Sequence, residues 1–492
     1  MKYYLGIDNG GTVTKACVFD EKGRLKGTGK SSVKLITPFP GSAERNPEEI
    51  YKANIEAVNK AVKSSGINPS QISAIGLSGH GKGLYTLNKK GKTFMNSLLS
   101  SDSRAAEITE EWKRNGTEKE IFDISLNRIV PGQPLPLLKW FKIHKPDLYN
   151  ETAYVLSVND FIRYRLTGVL SSGLNDLSGS AMLNLKTLKP DEKIFNAAGI
   201  SEAEKKLAPV ISSFDTGGET SEETLRATGI PKGTPVAGGL FDINACGLAL
   251  GMTDENIMTV IAGTWAINEA LSETPVTNSP TTLNSLYCSG DYYLIEESSP
   301  TSSGNLEWIR QNLFPLSYEE INAEAENAES GLLFLPFLMG TNVSPHAKSC
   351  FVGMTSFHNR GHMLKAVYEG VAFSHRMHIE RLKKCISGER KVRMAGGAVN
   401  SAVWMQIFAD VLGTEIETTA CEETGCLGAA FCAMLADGTI KNIKDLGQFV
   451  NISKTYYPDE KNKAKYDELY GKYIKLNSAL ADFWEDGKCW KN

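Results

Sequence analysis

A strand, a polar turn that contains glycine and a second strand open this chain, and the same pattern returns about 250 residues later. Residues 3–7 and 16–19 are apolar runs on either side of the first turn, and residues 257–262 precede a second turn that contains Gly263 and Thr264. Short turns of this kind between β-rich runs predict tight hairpins. Their recurrence indicates two structurally related halves, each of which begins with a hairpin.

The first turn carries groups that suit phosphate and magnesium. Gly10 and Gly11 let backbone N–H groups approach a ligand closely because no Cβ atom intervenes. Thr12 and Lys15 add donors for an anion. Asp8, at the end of the first strand, suits a hydrated Mg²⁺ ion. On these residues alone, a phosphate cradle and an ordinary hairpin with a polar turn are equally good interpretations.

The bulk properties exclude several classes of protein. The chain has 492 residues, a net charge of −4 and no dense stripe of Lys and Arg, so nucleic acid is not an expected partner. No apolar run is long enough to span a bilayer, and the N-terminus lacks the layout of a signal peptide. We therefore expect a cytoplasmic protein with no membrane partner. The spacing of His375 and His378 arises often by chance in helices, and we expect no metal there.

Strand-like runs alternate with amphipathic helical patterns for most of the chain, which predicts an α/β fold. A helix is predicted over 47–64, with Asn46 as its N-cap. The strand at 236–240 leads into a helix that begins near Ile243.

The second hairpin follows that helix without a low-complexity linker, which indicates two packed domains. We expect an N-terminal domain over 1–245 and a C-terminal domain over 246–492 that ends in a helical tail.

A third glycine cluster, Gly396 and Gly397, follows a strand and precedes a predicted helix over 402–412. Flat ligands can lie against such a pair and a helix N-terminus attracts anions, although on these residues alone close packing of a strand–helix turn is the favoured explanation. The chain contains no G-x-x-x-x-G-K-[ST] motif and no G-x-G-x-x-G after a strand, which disfavours a P-loop or a dinucleotide-binding domain.

Taken together, these motifs resemble the actin, hexokinase and Hsp70 superfamily of ATPases and, within it, the FGGY family of carbohydrate kinases. The most specific part is the run 349–354 followed, after seven residues, by 362–369, which fits the second signature of that family. The pattern departs from the family at Leu137, where a lysine is usual, and at Trp265, where Ser or Thr is common. The loop at 78–83 and the run 299–305 look most similar to bacterial L-xylulose kinases.

The resemblance implies two actin-like (ribonuclease H-like) ATPase domains that face each other across a central cleft. It implies transfer of the γ-phosphoryl group of ATP, with Mg²⁺, to a hydroxyl of a ketopentose. L-xylulose is the favoured sugar, ahead of D-xylulose, L-ribulose or a polyol. A homodimer is the default assembly.

The resemblance also implies roles for individual residues. Asp242 is the expected general base, although the start of a helix is also where an aspartate serves as a plain N-cap. Asp8 is assigned to the metal. The phosphate-binding residues are Gly10, Gly11, Thr12, Lys15, Gly263 and Thr264, and the adenosine-binding residues are Gly396, Gly397, Ala398 and Ser401. The sugar-binding residues are His80, Gly81, Lys82, Asp102, Arg104, Asn159, Asp160 and Asp242.

Two interpretations from other classes stay open at this point. An actin- or Hsp70-like ATPase that serves as a binding module would share the hairpins and the adenosine turn, but it would not need a base over a sugar. A kinase fold that has lost its activity and acts as a sensor is compatible with Trp265 in the second turn.

Overall fold

Two seven-stranded sheets, one in each half of the chain, form the framework of the protein. The structure is a computed structural model, which describes residues 2–11, 13–344 and 346–485. Thr12, one of the predicted phosphate-binding residues, lies outside the described residues.

The elements of the N-terminal half are short strands and ten helices among the described residues. Its strands are β1 (Tyr3–Asn9), β2 (Val13–Asp20), β3 (Leu25–Ser32), β4 (Glu44–Arg45), β5 (Ile72–Gly79), β6 (Tyr85–Leu87), β7 (Ser97–Leu98), β8 (Tyr154–Leu156), β9 (Ser172–Gly173), β10 (Val210–Ile211), β11 (Thr216–Glu219), β12 (Pro235–Ala237) and β13 (Leu240–Phe241). Its helices are α1 (Pro47–Ser65), α2 (Ala106–Asn115), α3 (Thr117–Ser125), α4 (Pro134–His144), α5 (Pro146–Glu151), α6 (Val158–Thr167), α7 (Leu174–Gly179), α8 (Glu192–Ala197), α9 (Glu222–Thr228) and α10 (Asp242–Ala249).

The C-terminal half begins with the second hairpin and ends in the predicted helical tail. Its strands are β14 (Ile257–Ala262), β15 (Ala266–Ser272), β16 (Leu283–Leu286), β17 (Tyr293–Ser299), β18 (Leu333–Leu335), β19 (Cys350–Val352), β20 (Lys391–Ala395), β21 (Ile416–Thr419) and β22 (Ile452–Tyr456). Its helices are α11 (Gly304–Asn312), α12 (Tyr318–Asn327), α13 (Arg360–Cys385), α14 (Ala402–Leu412), α15 (Thr424–Ala436), α16 (Glu460–Ala479) and α17 (Ala481–Glu485).

The two sheets share one arrangement around their hairpins. The first sheet has the order β11-β12-β5-β1-β2-β3, with β13 as a seventh strand that also pairs with β5, and the second has the order β16-β17-β15-β14-β20-β21-β22. In each, the first hairpin strand pairs antiparallel with the second, β1 with β2 and β14 with β15. Each first strand also pairs parallel with a later strand, β5 or β20. The predicted recurrence of a hairpin-led unit is therefore confirmed.

Helix α1 shows how the sequence sets the ends of an element. The Asn46 side chain accepts hydrogen bonds from the Glu48 and Glu49 N–H groups at 2.9 and 3.2 Å, which satisfies free donors of the first turn. Pro47 occupies the first helical position, and Gly66 ends the helix at a φ of 69°. The predicted helix over 47–64 is confirmed.

Helix α15 belongs to the C-terminal half in sequence but packs on the first sheet. A Cβ atom at Gly76 of β5 would lie 1.7 Å from the Ala429 carbonyl oxygen, and one at Gly6 of β1 would lie 1.9 Å from the Cys426 oxygen. A Cβ atom at Gly428 would lie 2.0 Å from the Ala245 oxygen of α10. Glycine is therefore required where α15 passes between the sheet and α10, and the predicted boundary at residue 245 falls within α10.

None of the helices described is long and apolar enough to cross a membrane.

Replacing Gly76 with Ala is expected to lower the thermal unfolding midpoint, because the new methyl group overlaps a rigid backbone carbonyl. We expect a loss of about 3 kcal/mol, the upper part of the usual range for overpacking. Gly471→Ala is the matched control, since a Cβ there meets no atom within 4 Å and α16 gains a better helix former. A Gly76→Ala variant with the same thermal unfolding midpoint as the wild type would contradict this packing.

Candidate functional site

The first hairpin places Asp8 between two polar neighbours. Asp8 is the cross-strand partner of Lys15 on β2 and of Ser78 on β5. The Ser78 hydroxyl donates to Asp8 Oδ1 at 3.1 Å. Burial raises the pKa of Asp8, although Lys15 and Ser78 act in the opposite direction. The carboxylate therefore lies at the mouth of the hairpin, with its second oxygen turned toward the start of α15.

The N-terminus of α15 meets Asp8 directly. A Cβ atom at Gly425 would lie 2.4 Å from Asp8 Oδ2, so only glycine allows the helix to come this close. Glu423, just before the helix, pairs with Lys15 and Lys30 at 2.6 Å each. The ammonium group that we predicted for phosphate thus has a carboxylate partner from the other half of the chain. Sequence reasoning missed Glu423 because more than 400 residues separate it from Lys15 and nothing near it carries a motif.

Arg45 supports the turn of the first hairpin from β4. Its Nη2 donates to the Gly11 carbonyl oxygen at 2.7 Å, and the residue is buried. This contact fixes a peptide of the turn in which Gly10 and Gly11 are the predicted phosphate-binding residues. Sequence analysis did not single out Arg45.

Asp242 is the first residue of α10 and is half-buried. Its Oδ1 accepts a hydrogen bond from the Ile243 N–H at 2.8 Å, while Phe241 occupies the N-cap position. The plain N-cap interpretation therefore does not describe this carboxyl group. Burial, together with the negative charge of Asp8, raises the pKa of Asp242 to about 8. A carboxyl group with a raised pKa in a cleft suits general-base chemistry.

The loop after β5 presents the predicted sugar-binding residues His80, Gly81 and Lys82. His80 is buried, and its Nε2 lies 3.2 Å from the Tyr85 hydroxyl. Burial lowers the pKa of His80 to about 4, so the imidazole is neutral. A Cβ atom at Gly81 would lie 2.3 Å from the Phe241 ring, next to Asp242 in the chain. The structure thus brings this loop against the residue that precedes the proposed base, and Lys82 adopts a φ of 64°.

Asn159 and Asp160 lie at the start of α6. The Asn159 Nδ2 donates to the Leu240 carbonyl at 2.8 Å and to Asp176 Oδ2 at 3.2 Å, which ties it to the strand before Asp242. Asp160 forms a capping box with Ser157 and accepts from Arg163 at 2.7 Å. Its contacts within the fold account for its burial, and its role in sugar binding stays a prediction.

Asp176 is a buried carboxyl group that sequence analysis missed. Burial, with Asp160 nearby, raises its pKa to about 7. Its Oδ1 and the Asn159 Oδ1 have no hydrogen-bond partner among the described residues. A helix of six residues gives no sequence signal that would have set Asp176 apart.

Asp102 and Arg104 bind each other rather than an open cleft. Arg104 Nε donates to Asp102 Oδ1 at 2.8 Å, and Arg104 Nη2 lies 2.6 Å from Glu44. Asp102 also accepts from the Ala43 N–H at 2.8 Å. The Arg104 guanidinium packs over the rings of Phe39 and Trp140. These contacts match the loop-capping alternative, and a sugar contact for either residue stays a prediction.

The second hairpin and the predicted adenosine turn lie against each other. Gly396 has a φ of 96°, and a Cβ atom there would lie 2.5 Å from the Ala262 carbonyl group. Gly263 and Thr264 form the exposed turn of the hairpin, and their carbonyl oxygens accept hydrogen bonds from Ser303 Oγ at 2.7 Å and the Ser302 N–H at 2.9 Å.

The adenosine turn continues into a polar cluster at the start of α14. Ala398 is fully buried beside Gly397, and Ser401 accepts from the Trp404 N–H at 3.0 Å as the N-cap. Ser401 also donates to Asn322 Oδ1 at 2.5 Å. Asn322 on α12 is a polar neighbour that sequence analysis missed, because α12 shows only an ordinary amphipathic pattern.

The comparison with known families identifies the class of protein. Residues 3–249 match the N-terminal domain of the FGGY family of carbohydrate kinases, and residues 258–436 match its C-terminal domain. The chain belongs to the FGGY family. It is therefore a carbohydrate kinase, a phosphotransferase that uses ATP and acts on a sugar hydroxyl.

Relatives and solved structures agree with this assignment. The chain is 35% identical to the L-xylulose/3-keto-L-gulonate kinase of Escherichia coli (strain K12) over 487 residues, and this aligned region covers 98% of each chain. It is 36% identical to a probable L-xylulose kinase of Haemophilus influenzae, over 98% of this chain and 99% of that one. A ligand-bound xylulose kinase from Lactobacillus acidophilus has a TM-score of 0.92 at 25% identity, over 99% of this chain and 100% of that one. The two-domain, actin-like fold is confirmed.

The raised pKa of Asp242 predicts a steep pH profile. A base acts only as the carboxylate, so kcat/KM for the sugar is expected to rise with pH and level off above about 8. A carboxyl group at its ordinary value of 3.8 would give a flat profile above pH 5. Initial rates at subsaturating sugar across pH 5.5–9 provide the measurement. A flat profile would contradict a general base whose pKa is raised to about 8.

Proposed function

We propose that the protein transfers the γ-phosphoryl group of ATP to a hydroxyl of L-xylulose, with Asp242 as the general base. The observation that carries the mechanism is the half-buried Asp242 carboxyl group at the start of α10, which lies near enough to Asp8 for their charges to interact. The relatives named for L-xylulose support the choice of sugar. The proposed acceptor is a neutral polyhydroxy ketone, for which polar side chains around the His80 loop are suitable partners.

The proposed reaction is a direct transfer from ATP to the sugar, with no covalent enzyme intermediate. The sugar hydroxyl oxygen forms a bond to the γ-phosphorus, the bond from that phosphorus to the β,γ-bridging oxygen breaks, and ADP leaves. Asp242 accepts the hydroxyl proton as the new bond forms. Positioning and charge stabilisation supply most of the rate enhancement in such transfers, so the two glycine turns act chiefly by orienting backbone donors.

The residues around Asp8 fit a hydrated Mg²⁺ ion. Asp8 is the carboxylate at the hairpin mouth, and the Ser78 hydroxyl is its neighbour. No cluster of three or more His, Cys, Asp or Glu side chains that could hold a metal occurs in the described part of the chain. One carboxylate with waters and substrate oxygens is how Mg²⁺ is usually held in phosphoryl-transfer sites. Bound there, the ion would neutralise charge on the phosphates.

The remaining assignments extend this proposal. We assign the β- and γ-phosphates to Gly10, Gly11, Gly263 and Thr264, and adenosine to the turn from Gly396 to Ala398. Lys15 contributes positive charge in part only, because Glu423 already neutralises it. The cytoplasmic location, the homodimer and the division into domains over 1–245 and 246–492 stay predictions.

A coupled ADP-release assay across ketopentoses and polyols tests the function. We expect the highest kcat/KM with L-xylulose and only background ATP turnover without a sugar. Including 3-keto-L-gulonate, D-xylulose and L-ribulose separates the sugar classes. ATP turnover that ignores every sugar would instead favour the ATPase binding module.

Asp242→Asn tests the mechanism. The amide cannot accept the proton, so kcat is expected to fall by about 10²–10⁴ while the KM for ATP changes little. Asp445→Asn, at an exposed carboxylate of the C-terminal half, is the control and should keep the wild-type rate. A rate for Asp242→Asn within a few-fold of the wild type would assign the base to another group.

Asp8→Asn tests the metal assignment. We expect the Mg²⁺ concentration for half-maximal rate to rise by about 10–100-fold, the usual cost of losing a group that orients a bound metal. Titration of MgCl₂ at fixed ATP measures this, with Asp445→Asn again as the control. An unchanged Mg²⁺ requirement would place the metal elsewhere.

A further inference from the structure

Two histidines on α13, one helical turn apart, each contact a serine at the C-terminal end of β17 or just after it. The His375 Nε2 lies 2.8 Å from Ser302 Oγ, and the His378 Nε2 lies 2.8 Å from Ser299 Oγ. All four residues are buried. The spacing that raised the question of a metal site therefore matches a pair of serines, which are also three residues apart.

The hydrogen-bond partners of His375 fix its tautomer. Asn268 donates its Nδ2 hydrogen to the Glu297 carbonyl at 3.1 Å, so its Oδ1 is the atom that faces His375 Nδ1 at 2.8 Å. An amide oxygen only accepts, hence Nδ1 carries the proton and Nε2 accepts from the Ser302 hydroxyl. Burial lowers the pKa of His375 to about 3, so this arrangement does not change near neutral pH.

Ser302 and its neighbour hold the turn of the second hairpin from behind. The Ser302 N–H donates to the Thr264 carbonyl at 2.9 Å, and the Ser303 hydroxyl donates to the Gly263 carbonyl at 2.7 Å. The carbonyl groups of Gly263 and Thr264 are therefore both held by the segment 302–303. The N–H groups of Thr264 and Trp265 make no hydrogen bond within the described part of the chain, and both residues are exposed. Free N–H groups in a fixed turn are suited to an anion.

We propose that His375 is a positioning residue for the nucleotide phosphates: through Ser302 it holds the turn at Gly263 and Thr264 so that its N–H groups face the ligand. This inference rests on the proposed function, because it requires ATP phosphates at that turn. The chain of contacts runs from Asn268 on β15 through His375 to Ser302 and ends at the Thr264 carbonyl. His375 touches no substrate and acts only through Ser302.

His378 provides a matched control from the same helix. Its Nε2 likewise faces a serine hydroxyl, that of Ser299, while its Nδ1 lies 3.1 Å from the Glu297 carboxylate instead of an amide oxygen. Ser299, however, pairs with Ala266 inside the sheet and does not hold the turn. Loss of His378 therefore removes a buried histidine–serine hydrogen bond, together with a contact to Glu297, without releasing the phosphate-facing peptides.

The test separates phosphate binding from adenosine binding. Isothermal titration calorimetry measures the affinities of the wild type, His375→Leu, Ser302→Ala and His378→Leu for the non-hydrolysable ATP analogue AMP-PNP and for adenosine. For His375→Leu and Ser302→Ala we expect AMP-PNP to bind about tenfold more weakly, the scale of one buried hydrogen bond, and adenosine to change by less than about twofold. The KM for ATP should rise in parallel, while the KM for the sugar stays the same.

Several outcomes decide the proposal. His375→Gln, whose side-chain oxygen can still accept from Ser302, should recover part of the AMP-PNP affinity. Wild-type AMP-PNP affinity in both His375→Leu and Ser302→Ala would overturn the inference. It would also be overturned if these variants lost as much affinity for adenosine as for AMP-PNP, or if His378→Leu lost affinity for AMP-PNP but not for adenosine. If His375→Leu does not fold, as judged by circular dichroism, Ser302→Ala alone decides. A wild-type protein that binds no AMP-PNP would refute the proposed function instead.

Discussion

The close contact between α15 and the first sheet is the constraint on which the rest of the site depends. Because Gly6 and Gly76 carry no side chain, the helix backbone lies directly on β1 and β5. That contact carries the N-terminus of α15 to Asp8 and brings Glu423 to Lys15. It also presses α10 against α15 at Gly428, which fixes the helix that begins with Asp242. Residues from both halves of the chain thus meet at one cleft because a single helix crosses between them.

The charges of the cleft follow from this packing. Asp8 and Asp242 are both half-buried and close enough for their charges to interact, and both have raised pKa values. Lys15 on β2 and Lys30 on β3 share Glu423. Both of these ammonium groups therefore already have a carboxylate partner. The proposed phosphate contacts at the two glycine turns would therefore depend mainly on fixed backbone donors and on the metal.

Local sequence patterns were sufficient for the framework but not for the contacts between distant segments. Helix α1 has its own cap, and the two hairpins have their own turns, so both could be predicted from a few adjacent residues. Glu423, Arg45 and Asn322 could not, because each acquires its role only when strands and helices far apart in sequence pack together. The same limit explains Asp102 and Arg104, whose polar run resembles a ligand loop but whose partner Glu44 lies some 60 residues away.

The position of α15 late in the chain has a consequence for how the protein is made. Strands β1 and β5 leave the ribosome long before residues 424–436 are synthesised, an interval on the order of tens of seconds at ordinary rates of protein synthesis. Until then the glycine-lined face of the first sheet has no cover, and Asp8 has no helix N-terminus beside it. Long-range contacts of this kind close late, since the intervening chain must first be ordered. The nascent N-terminal half therefore keeps this face of its sheet uncovered until α15 is made, and the proposed catalytic site is among the last parts of the protein to form.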